Sequence, residues 1–247
     1  MRSLVLGLFV LAPVIALVLW SSSVPAAIGV VFVSHMLVLY PTLSPNSRWL
    51  GPVITRFKSA RNEVWLTIDD GPLEDTRAIL DLLERHGARA TFFVKGINAL
   101  RHPHLVEEIR EHGHQVANHS HTHPSGRFWC ALPGSLRREI TLANDAIGTA
   151  RLFRAPVGHK NPFVHPILQK LGMRLVGWSA RGWDMVAPPE KAAKAILEAV
   201  QPGAIVLLHQ GHGASPRANP RQCLEMVVEG LAARGYSMII PDESRLV

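Results

Sequence analysis

The chain has 247 residues, enough for one domain with a full hydrophobic core, and 47% of them are hydrophobic. Its formal net charge is +7, yet the basic residues form neither a dense run nor an aromatic-interleaved motif, so no nucleic-acid partner is expected. The two cysteines, Cys130 and Cys223, lie far apart without CxxC spacing, which argues against a disulfide framework and a cysteine-ligated metal and predicts two buried thiols.

Through Ser47 the only formally charged residue is Arg2; every other basic residue and all 19 acidic ones lie from Arg48 onward. Two apolar runs, 4–20 and 26–43, flank the polar tract Ser21, Ser22, Ser23, and each approaches the roughly 20 residues needed to cross a bilayer. Val24-Pro25-Ala26 resembles a small-residue cleavage site, so a signal peptide followed by one anchor is a competing reading. A second membrane-length run directly after it favours a two-helix membrane hairpin over residues 1–45. Pro41, Pro45, Asn46 and Pro52 mark a linker, 46–62, ahead of a single domain over 63–247. Because that domain is itself basic, attraction to anionic lipid headgroups is expected beside a membrane.

From residue 63 short apolar runs alternate with longer amphipathic ones, the pattern of repeated βα units. Strands are predicted over 64–68, 90–94, 115–118, 152–155, 175–178, 204–208 and 237–240. Helices are predicted over 76–86, 105–112, 135–150, 162–171, 189–200 and 221–234, most of them followed by glycine or proline. The expected fold is α/β, a distorted seven-stranded β/α barrel preceded by the membrane segment, with its chemistry at the carboxyl ends of the strands.

Polar residues gather at those ends. The first strand runs into Asp69-Asp70-Gly71-Pro72, where two adjacent carboxylates repel each other unless a cation neutralises one; a solvated Asp-Gly turn is the plainer alternative. The third ends in Asn118-His119-Ser120-His121-Thr122-His123, from which His119 and His123 can aim at one cation while His121 points elsewhere. Three imidazoles in five residues beside a paired carboxylate favour a metal site. With Asp70, His119 and His123 as ligands, positions stay open for water and substrate, the mark of a catalytic divalent metal. Zinc is the default; cobalt, nickel, manganese or iron suit the same ligands. Arg154 ends the fourth strand and can hold Asp69 ionised, or else form a surface ion pair of little value. His209 ends the sixth, either satisfied by a backbone carbonyl or acting as a general acid.

The ordered set Thr67-Ile68-Asp69-Asp70-Gly71, His119-Ser120-x-x-His123, Arg154-x-Pro156-x-Gly158, Trp178 to Asp184 and Leu208-His209 resembles the five motifs of the polysaccharide deacetylase, or NodB-homology, family over about 64–241. The resemblance implies a metal-dependent hydrolase that deacetylates an N-acetylated amino sugar, with Asp69 as general base and His209 as general acid. Arg154 would tune Asp69, Asp184 would orient His209, and the Val157 N–H would help stabilise an oxyanion. An esterase acting on O-acetyl groups, or a silent carbohydrate-binding membrane protein keeping the barrel, are the alternatives. Val157 stands where many relatives have tyrosine. Arg181 and Met185 stand where aspartate and tryptophan are common, so the fourth motif is only partly matched.

Arg2 precedes the first apolar run, and Arg48, Arg56, Lys58 and Arg61 follow the second, so the positive-inside rule places both ends of a hairpin in the cytoplasm. The domain would then meet sugars on the inner leaflet, such as a lipid-linked glycan precursor. Cleavage near Ala26, or outward insertion, would instead present it to the envelope.

Overall fold

A computed structural model describes residues 1–247. The two apolar runs form a helical hairpin, α1 (Arg2–Trp20) and α2 (Val24–Leu43). Ser23 caps α2 by accepting the Ala26 N–H, and Pro25 fits the first turn because its missing N–H would have no helical partner there. Small residues, Ala12, Ala16, Ala27 and Ser34, are buried where the helices approach, whereas Leu11, Leu17, Val18 and Phe32 remain exposed. Both helices are long and apolar enough to cross a bilayer.

Seven parallel strands follow: β1 (Glu63–Asp69), β2 (Ala90–Val94), β3 (Gln115–Asn118), β4 (Leu152–Phe153), β5 (Arg174–Leu175), β6 (Ala204–His209) and β7 (Ser237–Met238). Their order is β5-β4-β3-β2-β1-β6, with β7 pairing only the start of β1. The sheet curls until Ala180, beyond β5, bridges Val206 of β6. The distorted seven-stranded β/α architecture is therefore present, as a curled sheet in which β4, β5 and β7 hold only two residues each. β4 stops short of the predicted 155 as Pro156 approaches; β5 ends at Leu175, and Val176, while still donating its N–H to the Phe153 carbonyl at 2.8 Å, also bridges Ile54.

Helices α3 (Thr76–Arg85), α4 (Gly96–Arg101), α5 (Pro103–Glu111), α6 (Pro133–Ile147), α7 (Val164–Lys170), α8 (Pro189–Ala199) and α9 (Pro220–Ala233) connect the strands. The predicted helices are present with ends shifted by a few residues, and α4 is an addition. α3 shows the logic: Ile79, Leu80, Leu82 and Leu83 share its buried face. Each such side chain contributes about 1.5–3 kcal/mol when fully buried. The helix stops at Gly87, whose φ of +57° lets the chain turn back into β2.

Strand parity divides the core in two. Val64, Leu66 and Ile68 of β1, with Val206 and Leu208 of β6, face the helices in the larger cluster. Trp65 of β1, Phe93, Ala117, Leu152, Ile205 and Leu207 form the inner cluster. Residues two further along share a face, so Thr67 and Asp69, His119, Arg154 and His209 belong to the inner side.

Two expectations change. Residues 46–62 connect the hairpin to β1 but pack against the domain rather than run free, burying Leu50, Val53, Ile54 and Phe57; Asn46 Nδ2 donates to the Trp178 carbonyl at 2.8 Å. Cys223 is buried in α9 as expected, but Cys130 is exposed, because it lies in a short turn over the surface between β3 and α6.

Candidate active site

The top of the inner face is polar. Arg154 Nη1 donates to Asp69 Oδ1 at 2.7 Å and to Thr67 Oγ1 at 2.8 Å; Nη2 donates to the Gly177 carbonyl at 2.8 Å. The guanidinium also lies 4.2 Å from the centre of the Phe93 ring. At 0% exposure it is no surface ion pair. Burial pushes its pKa down and the Asp69 carboxylate opposes that shift, so the two charges depend on each other.

Asp69 is followed by Asp70, whose φ of +77° turns its carboxylate toward the end of β3. Asp70 Oδ1 lies 3.9 Å from both His119 Nε2 and His123 Nε2, and Asp69 Oδ2 is 3.6 Å from His119 Nε2. Asp70 Oδ1 is buried without a hydrogen bond, and one donor atom from each of Asp70, His119 and His123 lies within 4.8 Å of the others. Ligands each about 2.1 Å from one ion stand roughly 3 to 4 Å apart, so this spacing fits a divalent cation. His119 Nδ1 faces the Arg154 carbonyl at 2.9 Å. A carbonyl only accepts, so Nδ1 carries a proton and Nε2 is the ring nitrogen turned toward the cluster. Burial, reinforced by His119, pushes the His123 pKa down to about 4, which keeps that imidazole neutral as a ligand must be. Burial works against the Asp70 carboxylate, but in the acid range where imidazoles carry charge His119 and His123, with Lys95 and His209, outweigh it and hold its pKa at about 2. His121 points elsewhere, against Gly96.

His209 closes the other side. Asp184 Oδ2 accepts the His209 backbone N–H at 2.8 Å, and Asp184 Oδ1 accepts from ring Nδ1 at 2.9 Å. Burial disfavours the imidazolium, yet Asp184, assisted by Asp69 and Asp70, raises its pKa to about 9. Val157 sits at φ +56° in the turn after β4, and its N–H donates no hydrogen bond within the chain. All eight residues singled out from the sequence thus converge, and all but the buried Arg154 line one pocket of about 320 Å³.

The backbone marks the same place. The non-glycine residues with positive φ are Asp70, Ser120, His123, Val157 and Trp183, and every one except Ser120 lines the pocket. Such conformations cost about 1–3 kcal/mol each and persist where surrounding structure imposes them. The side chains that hold these turns carry no motif of their own. Lys95 Nζ approaches Asp70 Oδ1 at 3.3 Å, Asn98 Nδ2 donates to the Asp70 carbonyl at 2.8 Å, and Asn118 Oδ1 accepts the Ser120 N–H at 2.8 Å. Glu139 of α6 accepts from the His121 and Thr122 N–H groups. Lys95 had a visible signal, a charge directly after a five-residue apolar strand; Glu139, 16 residues beyond the last histidine of the cluster, had none.

Residues 58–176 match the model of the polysaccharide deacetylase family. A chitooligosaccharide deacetylase of Bradyrhizobium sp. (strain ANU 289) is 35% identical over 191 residues, covering 74% of this chain and 85% of that protein. The chain belongs to the polysaccharide deacetylase family. A family 4 carbohydrate esterase from Streptomyces lividans, solved with acetate, superposes with a TM-score of 0.66 at 30% identity, over 76% of this chain and 98% of its own. The peptidoglycan-N-acetylglucosamine deacetylase PgdA of Listeria monocytogenes is 28% identical over 215 residues, 81% of this chain and 43% of that protein. This polysaccharide deacetylase is a hydrolase, and its family works with divalent metals. The wall of its pocket departs from the expected fourth motif at Arg181, which lies with its guanidinium carbon 3.3 Å from the centre of the Trp183 ring.

Proposed function

We propose that this polysaccharide deacetylase removes the acetyl group from an N-acetylated amino sugar. The convergence of Asp70, His119 and His123 between Asp69 and His209 carries this reading. The three would hold a divalent cation, zinc by default, which when bound polarises the scissile carbonyl and acidifies water. Asp69, oriented by Arg154, accepts the proton of the attacking water. The free N–H of Val157 donates to the oxygen on which charge develops. His209, protonated at neutral pH through Asp184, gives its proton to the departing amine nitrogen. No covalent intermediate on the protein is needed.

In this reading residues 1–45 anchor the protein in the membrane, 46–62 connect, and 63–247 carry the chemistry. Charge on Arg2 and Arg48 favours a cytoplasmic face for the domain and a lipid-linked glycan precursor as substrate. Relatives named for chitooligosaccharide and peptidoglycan N-acetylglucosamine support the amide. The same site could cleave an O-acetyl ester, since carbonyl polarisation and proton transfer serve both. Metal-replete full-length protein, offered N-acetylated and O-acetylated sugars at equal concentration, decides: release of acetate from the N-acetylated set is expected. Release only from esters would reassign the enzyme as an esterase, and release from neither would leave a silent binding protein.

A further inference from the structure

Large apolar side chains exposed on the sheet domain are confined to one end of it. Leu100 follows β2, Trp129 and Leu132 follow β3 and Phe163 follows β4, in the loops at the end of the sheet that also carries the pocket-lining Val157, Trp183 and Val186. Apart from the terminal Val247, no other large apolar side chain beyond Leu43 is exposed. At the opposite end, where helices return to strands, the chain exposes Arg85, Glu111, Arg151, Lys170 and Arg234 instead. Large apolar side chains exposed only at the pocket end mark a surface that is covered in use.

The helical hairpin says what covers it, because it leaves the domain at the same end. Arg2 Nη2 donates to the Pro162 carbonyl at 3.2 Å, and the Lys160 N–H donates to the Thr42 carbonyl at 3.0 Å. The fully buried Lys160 donates through Nζ to the carbonyls of Ser44 at 2.6 Å and Pro45 at 2.9 Å, just past the carboxyl end of α2. These contacts fall on the β4–α7 connection, the segment that carries Val157 into the pocket. A Cβ on Gly158 would lie 2.6 Å from both Pro45 and Trp178, so the base of the hairpin is one side chain from the pocket wall. At that base the rings of Tyr40 and Trp49 lie 5.1 Å apart beside the exposed Arg48. Aromatic rings with arginine are what spanning helices carry at the membrane–water boundary.

We infer that the mouth of the pocket is apposed to the bilayer, and that its substrate is the N-acetylated amino-sugar headgroup of a membrane lipid rather than a free oligosaccharide. The loops after β2 to β5 enter the interface, where apolar side chains settle about 5–10 Å deep. A sugar carried at the lipid surface then meets the pocket without leaving the membrane. The substrate half of this inference rests on the deacetylase reading above; the apposition does not.

Two measurements on full-length protein in vesicles separate them. Spin labels at Leu100→Cys and Leu132→Cys, in a Cys130→Ser background, should show oxygen accessibility typical of lipid, while a label at Arg151→Cys should show aqueous accessibility. Water-like labels at both rim positions overturn the apposition, whether or not the protein has activity. Leu100→Glu with Leu132→Glu should slow acetate release from a vesicle-borne polyprenyl-phosphate N-acetylglucosamine at least tenfold. Release from soluble N-acetylchitooligosaccharide should stay unchanged. Equal effects on the two substrates overturn the lipid-headgroup substrate, and hydrolysis of neither by the wild-type protein overturns the deacetylase reading itself.

Discussion

Asp184 holds His209 at two points, accepting the backbone N–H at 2.8 Å and facing ring Nδ1 at 2.9 Å. The first contact fixes where the residue leaves β6; the second fixes which ring nitrogen carries the persistent proton. Nε2 is left as the nitrogen whose proton can be given away, and the carboxylate raises the imidazolium pKa to about 9.

That arrangement sets the alkaline limb of activity. An acid must be protonated to act, so kcat/KM is expected to fall as pH rises through about 9. Asp184→Asn keeps the shape but removes the anion that favours the charged ring, so the limb should move to lower pH, with reduced activity at pH 8. pH–rate profiles of the two proteins check this. An alkaline limb that does not move would assign the acid to another group.

Binding and proton transfer should separate on adjacent residues. His119→Ala removes one donor of the cluster and is expected to lose both bound metal and turnover. Asp69→Asn should retain metal and lose about a hundredfold to ten-thousandfold in kcat. Elemental analysis beside initial rates distinguishes them. Near-normal turnover in Asp69→Asn would move the general base elsewhere.

Arg154 carries a different expectation. Its fork reaches Asp69, Thr67 and the Gly177 carbonyl together, which an ammonium cannot reproduce. Arg154→Lys should therefore lower kcat, and Arg154→Met should destabilise the domain by about 3–5 kcal/mol by leaving the buried Asp69 carboxylate unpaired. Urea unfolding of detergent-solubilised protein measures this. Wild-type stability in Arg154→Met would mean that Asp69 is not dependent on the ion pair.

Thiol chemistry provides a direct check of packing. One cysteine, Cys130, should react rapidly with a maleimide in the native protein, while Cys223 reacts only after denaturation. Burial pushes the Cys223 thiol up to about 12, so it also lacks thiolate at neutral pH. Mass spectrometry counts the adducts, and two rapid adducts would contradict the packing of α9.

Much was legible in the sequence because local physics wrote it there. The hairpin shows as two uncharged runs of membrane length, and the strands show as apolar runs bounded by turns. The chemistry shows as Asp69-Asp70 and the three histidines directly after such runs, where buried backbone gives way to loop. What tertiary structure alone decided is which side those residues take and what holds them there. β1 and β6 are buried on both faces, so no polar alternation reveals that Thr67, Asp69 and His209 face inward beside Trp65 and Leu207. The partners of Asp70, Lys95 and Asn98, come from another strand end and another helix, and Glu139 reaches the histidine loop from α6. Residues 46–62 read as a linker because prolines and polar residues punctuate them, yet Val53, Ile54 and Phe57 find apolar partners far away in the chain. Proximity in space between segments distant in sequence arises from the closing of the sheet, and no local pattern encodes it.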